Sequence, residues 1–130
     1  MDKKIKLGLD LHGVCSAVPE FFSVLSKLLV DNGHEVHIIT GMKAARAETE
    51  LATLNIKYTD LFSVTDHHSA KGTQIYWDED GNPHLNQVLW ESTKGEYCKK
   101  KGIDLHLDDS EIYWEYFTTP YAKFINLKDL

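Results

Sequence analysis

Residues 6–14 read KLGLDLHGV, and this stretch decides the fold. Its strand-favouring apolar side chains are interrupted by one carboxylate, Asp10, and Gly13 then ends the apolar run. A reactive side chain at the carboxyl end of a strand is typical of α/β sheets, which bind ligands along that edge. The stretch predicts a first strand over residues 5–11 and makes Asp10 the leading candidate for a functional residue.

Helical and extended patterns alternate after this strand. The predicted elements are, in order, a helix from Pro19 to about residue 32, a strand at 36–40, a helix at 42–54 and a strand at 61–64. Pro19 suits a first helical position, and Asn55 suits a helix end. Short connections between alternating strands and helices imply parallel pairing with right-handed crossovers.

The second half of the chain is less regular. Residues 73–77 and 84–90 are rich in strand formers around a turn at 80–83, which predicts a hairpin. Residues 66–92 therefore form a hairpin insertion, a minimal cap or an ordered loop. Further predicted elements are a helix at 94–101 capped by Ser92 or Thr93, a strand at 103–107, a short helix at 111–117 and a strand at 121–125.

These elements predict a single α/β domain over residues 1–130. Its fold class is a Rossmann-like, doubly wound, mainly parallel five-stranded sheet with helices on both faces and a small hairpin insertion. The apolar fraction of 42% is that of a folded chain, and no apolar run reaches the roughly 18 residues of a membrane span. We expect a cytoplasmic protein whose two cysteines, Cys15 and Cys98, are thiols.

The net charge of −6 argues against a duplex nucleic-acid partner. The run of lysines at residues 99–101 is interpreted as the solvated last turn of a helix. Nothing in the sequence defines the oligomeric state.

The ends of three predicted strands carry polar side chains. Asp10 follows the first strand, Thr40 and Gly41 follow the second, and Asp108 and Asp109 follow the fourth. Because the carboxyl ends of parallel strands share one edge, we expect these residues to meet in one crevice. Three carboxylates in one place need a cation, and oxygen ligands with some waters suit Mg²⁺.

A carboxylate beside Mg²⁺, with a lysine and exposed amides to hold an anion, is what phosphoryl transfer through an aspartyl-phosphate requires. In this hypothesis Asp10 is the nucleophile. The hydroxyl of Thr40 and the amide of Gly41 bind phosphate oxygens, and Lys94 neutralises both Asp10 and the phosphoryl group.

The order of these motifs resembles the haloacid dehalogenase (HAD) superfamily of aspartate-nucleophile phosphohydrolases. Its first motif, an apolar strand ending in D-x-D-G-[TV], is similar to DLHGV at residues 10–14 except at the second acid. Its later motifs are similar to the strand ending in Thr40, to Lys94 at a predicted helix start, and to LHLDD at residues 105–109. The resemblance implies Mg²⁺-dependent phosphomonoester hydrolysis, with metal ligands Asp10, Asp108, Asp109 and the backbone carbonyl of His12.

His12 departs from the family pattern. In family phosphatases the second acid protonates the leaving group and then activates water. A histidine can also act as acid or base, so His12 is a candidate catalytic residue. The alternative is a weak or inactive protein that keeps the metal and phosphate pocket. The small insertion leaves the crevice open, which suits phosphorylated substrates of small or macromolecular size.

Several assignments have competitors. Lys71 before Gly72 competes with Lys94 for the motif lysine, and the paired acids at 108–109 also suit a helix N-cap. Asp66, His67 and His68 resemble a metal cluster, but adjacent residues of an extended chain point in opposite directions, so we interpret them as a polar loop. The remaining histidines, His34, His37, His84 and His106, are interpreted as structural or exposed. Tyr76 and Trp77 on the hairpin are candidates to contact a leaving group.

Overall fold

The computed structural model describes residues 3–129, and five parallel strands form its main sheet. Numbered in chain order, the strands of the protein are β1 (Lys6–Leu9), β2 (Glu35–Thr40), β3 (Asp60–Ser63), β4 (Tyr76–Trp77), β5 (Pro83–His84), β6 (Leu105–Asp108) and β7 (Tyr121–Lys123). The main sheet has the order β3-β2-β1-β6-β7, and β4 pairs with β5 as a separate antiparallel hairpin. The predicted α/β fold with a five-stranded parallel sheet is confirmed.

In the part of the chain that the structure describes, four α-helices cover the sheet. They are α1 (Pro19–Asp31), α2 (Ala44–Leu54), α3 (Val64–Ala70) and α4 (Gln87–Lys101). The chain moves outward from β1 to β3 through α1 and α2, which contact each other. It returns to β6 through α3 and α4, which also contact each other. Because right-handed crossovers in opposite directions use opposite faces, the two helix pairs lie on the two faces of the sheet.

Local sequence explains the helix ends that were predicted correctly. Pro19 is the first residue of α1, where its missing N–H costs no hydrogen bond. Asn55 and Gly102 end α2 and α4 in the left-handed conformation, with φ of 60° and 68°. The core between helices and sheet contains fully buried apolar side chains: Leu9, Leu11, Val14, Phe22, Val36, Ile38 and Leu51.

Helix α4 is longer than the sequence indicated. It begins at Gln87, and Asn86 rather than Ser92 or Thr93 is its cap, because the Asn86 side chain accepts a 3.2 Å hydrogen bond from the Leu89 N–H. The prediction of an extended segment at 84–90 is therefore wrong beyond β5. The first turn of α4 is exposed and shows no apolar periodicity, so the pattern was missed.

The polar loop predicted at Asp66, His67 and His68 is also wrong. These residues form α3, which Ser63 caps by accepting a 3.0 Å hydrogen bond from the Asp66 N–H. His68 is buried, with its Nε2 2.7 Å from the Thr93 hydroxyl on α4. The signal in the sequence was the Ser63-x-x-Asp66 spacing, which is typical of a capped helix start.

The remaining differences concern element lengths. The short helix predicted at 111–117 is only a 3₁₀ turn at Trp114–Tyr116, and a second 3₁₀ turn covers Leu127–Asp129. β7 ends at Lys123 and β1 ends at Leu9, which leaves Asp10 just beyond the strand. Within residues 3–129, no helix is long and apolar enough to cross a membrane.

Candidate functional site

The strand order places a crevice beside Asp10. The chain leaves β1 toward β2 but leaves β6 toward β7, so the direction of winding reverses between these neighbouring strands. α/β sheets bind ligands at such a switch point, outside the carboxyl ends of the strands. Asp10 follows β1 directly, and its N–H donates a 3.0 Å hydrogen bond to the carbonyl of Leu107. Asp108 is the last residue of β6.

Three carboxylates meet at this switch point. One oxygen each from Asp10, Asp108 and Asp109 lies within 4.8 Å of the other two. Asp10 and Asp108 are buried, whereas Asp109 is exposed and faces solvent. A set of carboxylate oxygens open to water on one side matches the ligands that Mg²⁺ takes. The donor set therefore fits this ion, with Asp10, Asp108 and Asp109 as the side chains that would hold it.

Lys94 is the cation of the site. Its Nζ lies 2.8 Å from Asp108 Oδ2 and 3.4 Å from Asp10 Oδ1, and the side chain is buried. Burial opposes its charged form, but Asp10 and Asp108 outweigh this and hold the pKa of Lys94 above its ordinary value. Lys94 lies two turns inside α4, so the predicted position at a helix start is wrong.

Lys71, the competing lysine, lies elsewhere. It is the exposed residue after α3 and lines a second cavity of about 460 Å³. Asp60 and Tyr97 line that cavity, whereas Asp10 does not. The structure therefore brings Lys94, and not Lys71, to the carboxylates.

The site holds more negative than positive charge. Burial raises the pKa of Asp10 to about 7; Lys94 opposes this rise, and Asp108 and Asp109 add to it. Burial also acts to raise the pKa of Asp108, but hydrogen bonds from His106 and Lys94 outweigh it and lower that pKa to about 2. Lys94 thus faces two buried carboxylates and a third, exposed one, and a further cation would relieve the remaining repulsion.

The predicted phosphate-binding residues stand on the opposite side of Asp10 from β6. Thr40 ends β2 and is buried, and its hydroxyl oxygen accepts a 3.2 Å hydrogen bond from the Met42 N–H. Gly41 packs under the ring of Trp90 on α4, and a Cβ at this position would overlap that ring. Only glycine therefore lets Trp90 cover the chain beside Thr40.

A cavity of about 600 Å³ opens above Asp10. Asp10, His12, Thr40, Gly41, Trp90, Lys94 and Tyr113 belong to its lining, and so do residues of the hairpin and of the start of α2. Of the two hairpin aromatics, Trp77 lines the cavity and Tyr76 does not. Trp77 is held there by Lys43, whose Nζ lies 4.5 Å from the centre of the ring. The hairpin thus forms one wall of the cavity.

His12 lies at the cavity and contacts α2. Its Nε2 is 2.7 Å from Oε2 of Glu50, and about half of its side chain is exposed. The Glu50 carboxylate is also 3.7 Å from Nε of Arg46, one turn earlier on the same helix. With Nε2 taken by Glu50, Nδ1 is the ring nitrogen left for another partner. The sequence offered no signal for this pair, because 38 residues separate its members.

His106 is a site residue that the sequence interpretation missed. It is fully buried, and its Nε2 lies 3.0 Å from Asp108 Oδ2. Burial lowers the pKa of His106, so the neutral ring donates this hydrogen bond. Its position two residues before Asp108 on one strand was a usable signal, because alternate residues share a face. Tyr113 was missed as well, and its ring centre lies 4.5 Å from Lys94 Nζ.

Gly13 is required by the approach of Asp109. Its φ is +83°, and a Cβ would overlap the Asp109 carboxylate. We predict that Gly13→Ala lowers the free energy of unfolding by about 2–3 kcal/mol, since it combines backbone strain with displacement of Asp109. Gly33→Ala is the matched control: its φ is +84° with nothing within 4 Å, so it should cost about 1 kcal/mol. Urea unfolding measures both, and equal losses would show that Asp109 imposes no restriction.

Comparisons with known proteins give no match. No protein-family profile, no curated protein and no solved structure corresponds to this chain.

Proposed function

We propose that this protein is a Mg²⁺-dependent phosphomonoester hydrolase of the HAD type, with Asp10 as the nucleophile. The observation that carries the proposal is the group formed by Asp10, Asp108, Asp109 and Lys94: three carboxylates within 4.8 Å and one buried ammonium. This group lies at the switch point of a parallel sheet, below an open cavity of about 600 Å³. The ion pairs of Lys94 with Asp10 and Asp108 do not involve Asp109, so a purely structural role for this group would leave the third carboxylate unexplained.

Mg²⁺ would supply charge neutralisation in this site. Bound to Asp10, Asp108 and Asp109, it would lower the repulsion between the Asp10 carboxylate and a phosphate dianion. The backbone carbonyl of His12 is the fourth protein ligand that the family resemblance suggests.

The first chemical step transfers the phosphoryl group to the protein. A carboxylate oxygen of Asp10 bonds to phosphorus while the bond from phosphorus to the ester oxygen breaks. The protonated ring of His12 gives its proton to the departing oxygen, so the product leaves as a neutral alcohol. The Lys94 ammonium, the Thr40 hydroxyl and the Gly41 N–H are the donors available to the phosphoryl oxygens.

The second step hydrolyses the aspartyl-phosphate and regenerates the free Asp10 carboxylate. A water oxygen bonds to phosphorus, and the bond between phosphorus and Asp10 breaks. The neutral His12 ring accepts the proton of the water, which returns the ring to its starting state. The sum of the two steps is an ester and water converted to an alcohol and inorganic phosphate, with each proton accounted for.

The test is hydrolysis of an aryl phosphate by the purified protein, followed by a wider panel of phosphate esters. We expect phosphate release that requires Mg²⁺, stops on chelation and resumes when the ion is returned. Absence of Mg²⁺-dependent turnover on every ester of the panel would contradict the proposal.

One observation favours a second candidate function, a metal- and phosphate-binding protein without turnover. The His12 ring is turned toward Glu50 and is half exposed, so it stands at the edge of the cavity. A protein of this kind would bind Mg²⁺ and a phosphate mimic such as beryllofluoride at Asp10 but would release no phosphate.

The Glu50 carboxylate tests the role that the hydrolase proposal gives to His12. If Glu50 orients His12 for proton transfer, Glu50→Gln should lower kcat about tenfold or more and leave KM nearly unchanged, because Glu50 meets His12 rather than the phosphate. Glu48→Gln is the matched control, since Glu48 is exposed on the same helix. Steady-state kinetics of the two variants provide the measurement. An unchanged kcat in Glu50→Gln would show that Glu50 does not assist His12, and an increased kcat would show that Glu50 withholds His12 from the reaction.

A further inference from the structure

An apolar stripe runs along the outer side of α1. Phe21, Val24 and Leu28 are 58%, 60% and 58% exposed, respectively. Their spacing of three and four residues places them on one side of the helix over two turns. The opposite side of α1 packs on the core through Phe22 and Ser26, which are buried. Helix α1 is therefore apolar on both sides, although only one of them is covered.

This arrangement differs from the other exposed apolar side chains. Val88 on α4 and Trp114 in its 3₁₀ turn are 57% and 49% exposed, but among residues 3–129 no other helix carries three such side chains in register. Single exposed apolar residues are normal on protein surfaces, whereas a continuous apolar strip marks an interaction surface.

The charges beside the stripe indicate what covers it. Glu20 and Lys27 are seven residues apart, so they lie two turns from each other on the same flank of the stripe. Within residues 3–129 neither belongs to an ion pair. When two copies of a helix pack antiparallel about a two-fold axis, each flank meets the same flank of the other copy.

An antiparallel pair of α1 helices has matched contacts. With the two-fold axis at Val24, residues whose numbers add up to about 48 come together. Phe21 then meets Leu28 of the second copy, and Val24 meets its own equivalent. Glu20 lies against Lys27 of the second copy, and the symmetry makes this ion pair twice. A second copy of this chain therefore covers the apolar stripe and supplies an oppositely charged partner for Glu20 and for Lys27.

We propose that the protein forms a two-fold symmetric homodimer through antiparallel packing of α1. The helix has 13 residues and is about 20 Å long, so the contact is smaller than the roughly 800 Å² per partner of a standard interface. A contact of this size is typical of a weak, concentration-dependent association. No residue of α1 lines the cavity above Asp10, so dimerisation leaves that cavity open.

Sedimentation velocity of the full chain from about 1 to 500 µM tests the proposal. The expected mass rises from 14.9 kDa toward twice this value as concentration increases. Val24→Glu places two carboxylates against each other at the axis and should leave a monomer. Its thermal midpoint should equal that of wild type at concentrations where wild type is monomeric. Val88→Glu is the matched control on α4 and should still dimerise.

A charge exchange tests the antiparallel register. Glu20→Lys and Lys27→Glu should each weaken the dimer about tenfold, because each brings like charges together. The double variant recreates two opposite-charge pairs and should recover most of the lost affinity. If the protein is a monomer at every concentration, the proposal is overturned. This is the result expected if the apolar stripe binds a different protein. A dimer that survives Val24→Glu, or a double variant without recovery, overturns it as well.

Discussion

Asp10→Asn should lower Mg²⁺-dependent phosphate release at least about 10³-fold. In the absence of Mg²⁺ the same variant should be more stable than wild type at pH 8. Activity is lost because an amide is a poor nucleophile. Stability rises because the pKa of Asp10 is raised to about 7 in the folded state, so folding opposes its ionisation. The folded state binds the Asp10 proton more tightly, and stability therefore decreases as pH rises from about 4 to 7. Asparagine does not ionise, so the variant does not lose stability over this pH range.

The measurements are kcat with an aryl phosphate and the thermal midpoint at pH 5 and pH 8 without Mg²⁺. Asp31→Asn is a suitable control, since Asp31 is exposed and its ion pair with Lys57 is in solvent. That variant should change neither quantity appreciably. If the Asp10→Asn variant keeps its activity, Asp10 is not the nucleophile. One that is less stable than wild type at pH 8 would show that Asp10 serves the fold.

Lys94→Met should have the largest effect on stability. It leaves the buried carboxylates of Asp10 and Asp108 without their ammonium, and removal of one partner of a buried ion pair costs about 3–5 kcal/mol. The thermal midpoint should fall by about 10 °C or more at neutral pH. Activity should also disappear, because Lys43, the other lysine of the cavity lining, lies over the Trp77 ring on the hairpin and does not contact Asp108. Mg²⁺ should restore part of the lost stability, since it supplies positive charge to the same carboxylates.

Lys71→Met is the natural control for this variant. Lys71 carries the same side chain at an exposed position after α3, so its replacement should change the free energy of unfolding by less than about 0.5 kcal/mol. Thermal unfolding with and without Mg²⁺ compares the two variants. Equal stability of Lys94→Met and wild type would mean that the ion pairs of Lys94 contribute nothing net to folding.

The sequence was sufficient to predict the sheet and the position of Asp10. Strand and helix patterns alternate with short connections, and this leaves parallel pairing as the simple solution. Once the strands are parallel, the residues at their carboxyl ends must share an edge. Asp10 directly follows its apolar strand, and Thr40 and Asp108 are the last residues of theirs, so their meeting could be foreseen without any contact information.

Contacts set by tertiary packing could not be predicted in this way. Glu50 reaches His12 only because of the rotation of α2 against the turn after β1, and Trp90 covers Gly41 only because α4 begins earlier than its pattern indicated. Helix α3 was missed because its polar residues show no apolar periodicity, although Ser63 marked its start. In each case the decisive information was the placement of one element on another.

Direct detection of a phosphoryl group on Asp10 tests the central claim best. The protein is mixed with Mg²⁺ and a phosphomonoester, quenched in acid within one turnover, digested and mapped by mass spectrometry. We predict the added mass of one phosphoryl group on the peptide that contains Asp10, and its absence from the Asp10→Asn variant. Mg²⁺-dependent phosphate release with an unmodified Asp10 peptide, or with the phosphoryl group on another residue, would contradict the account.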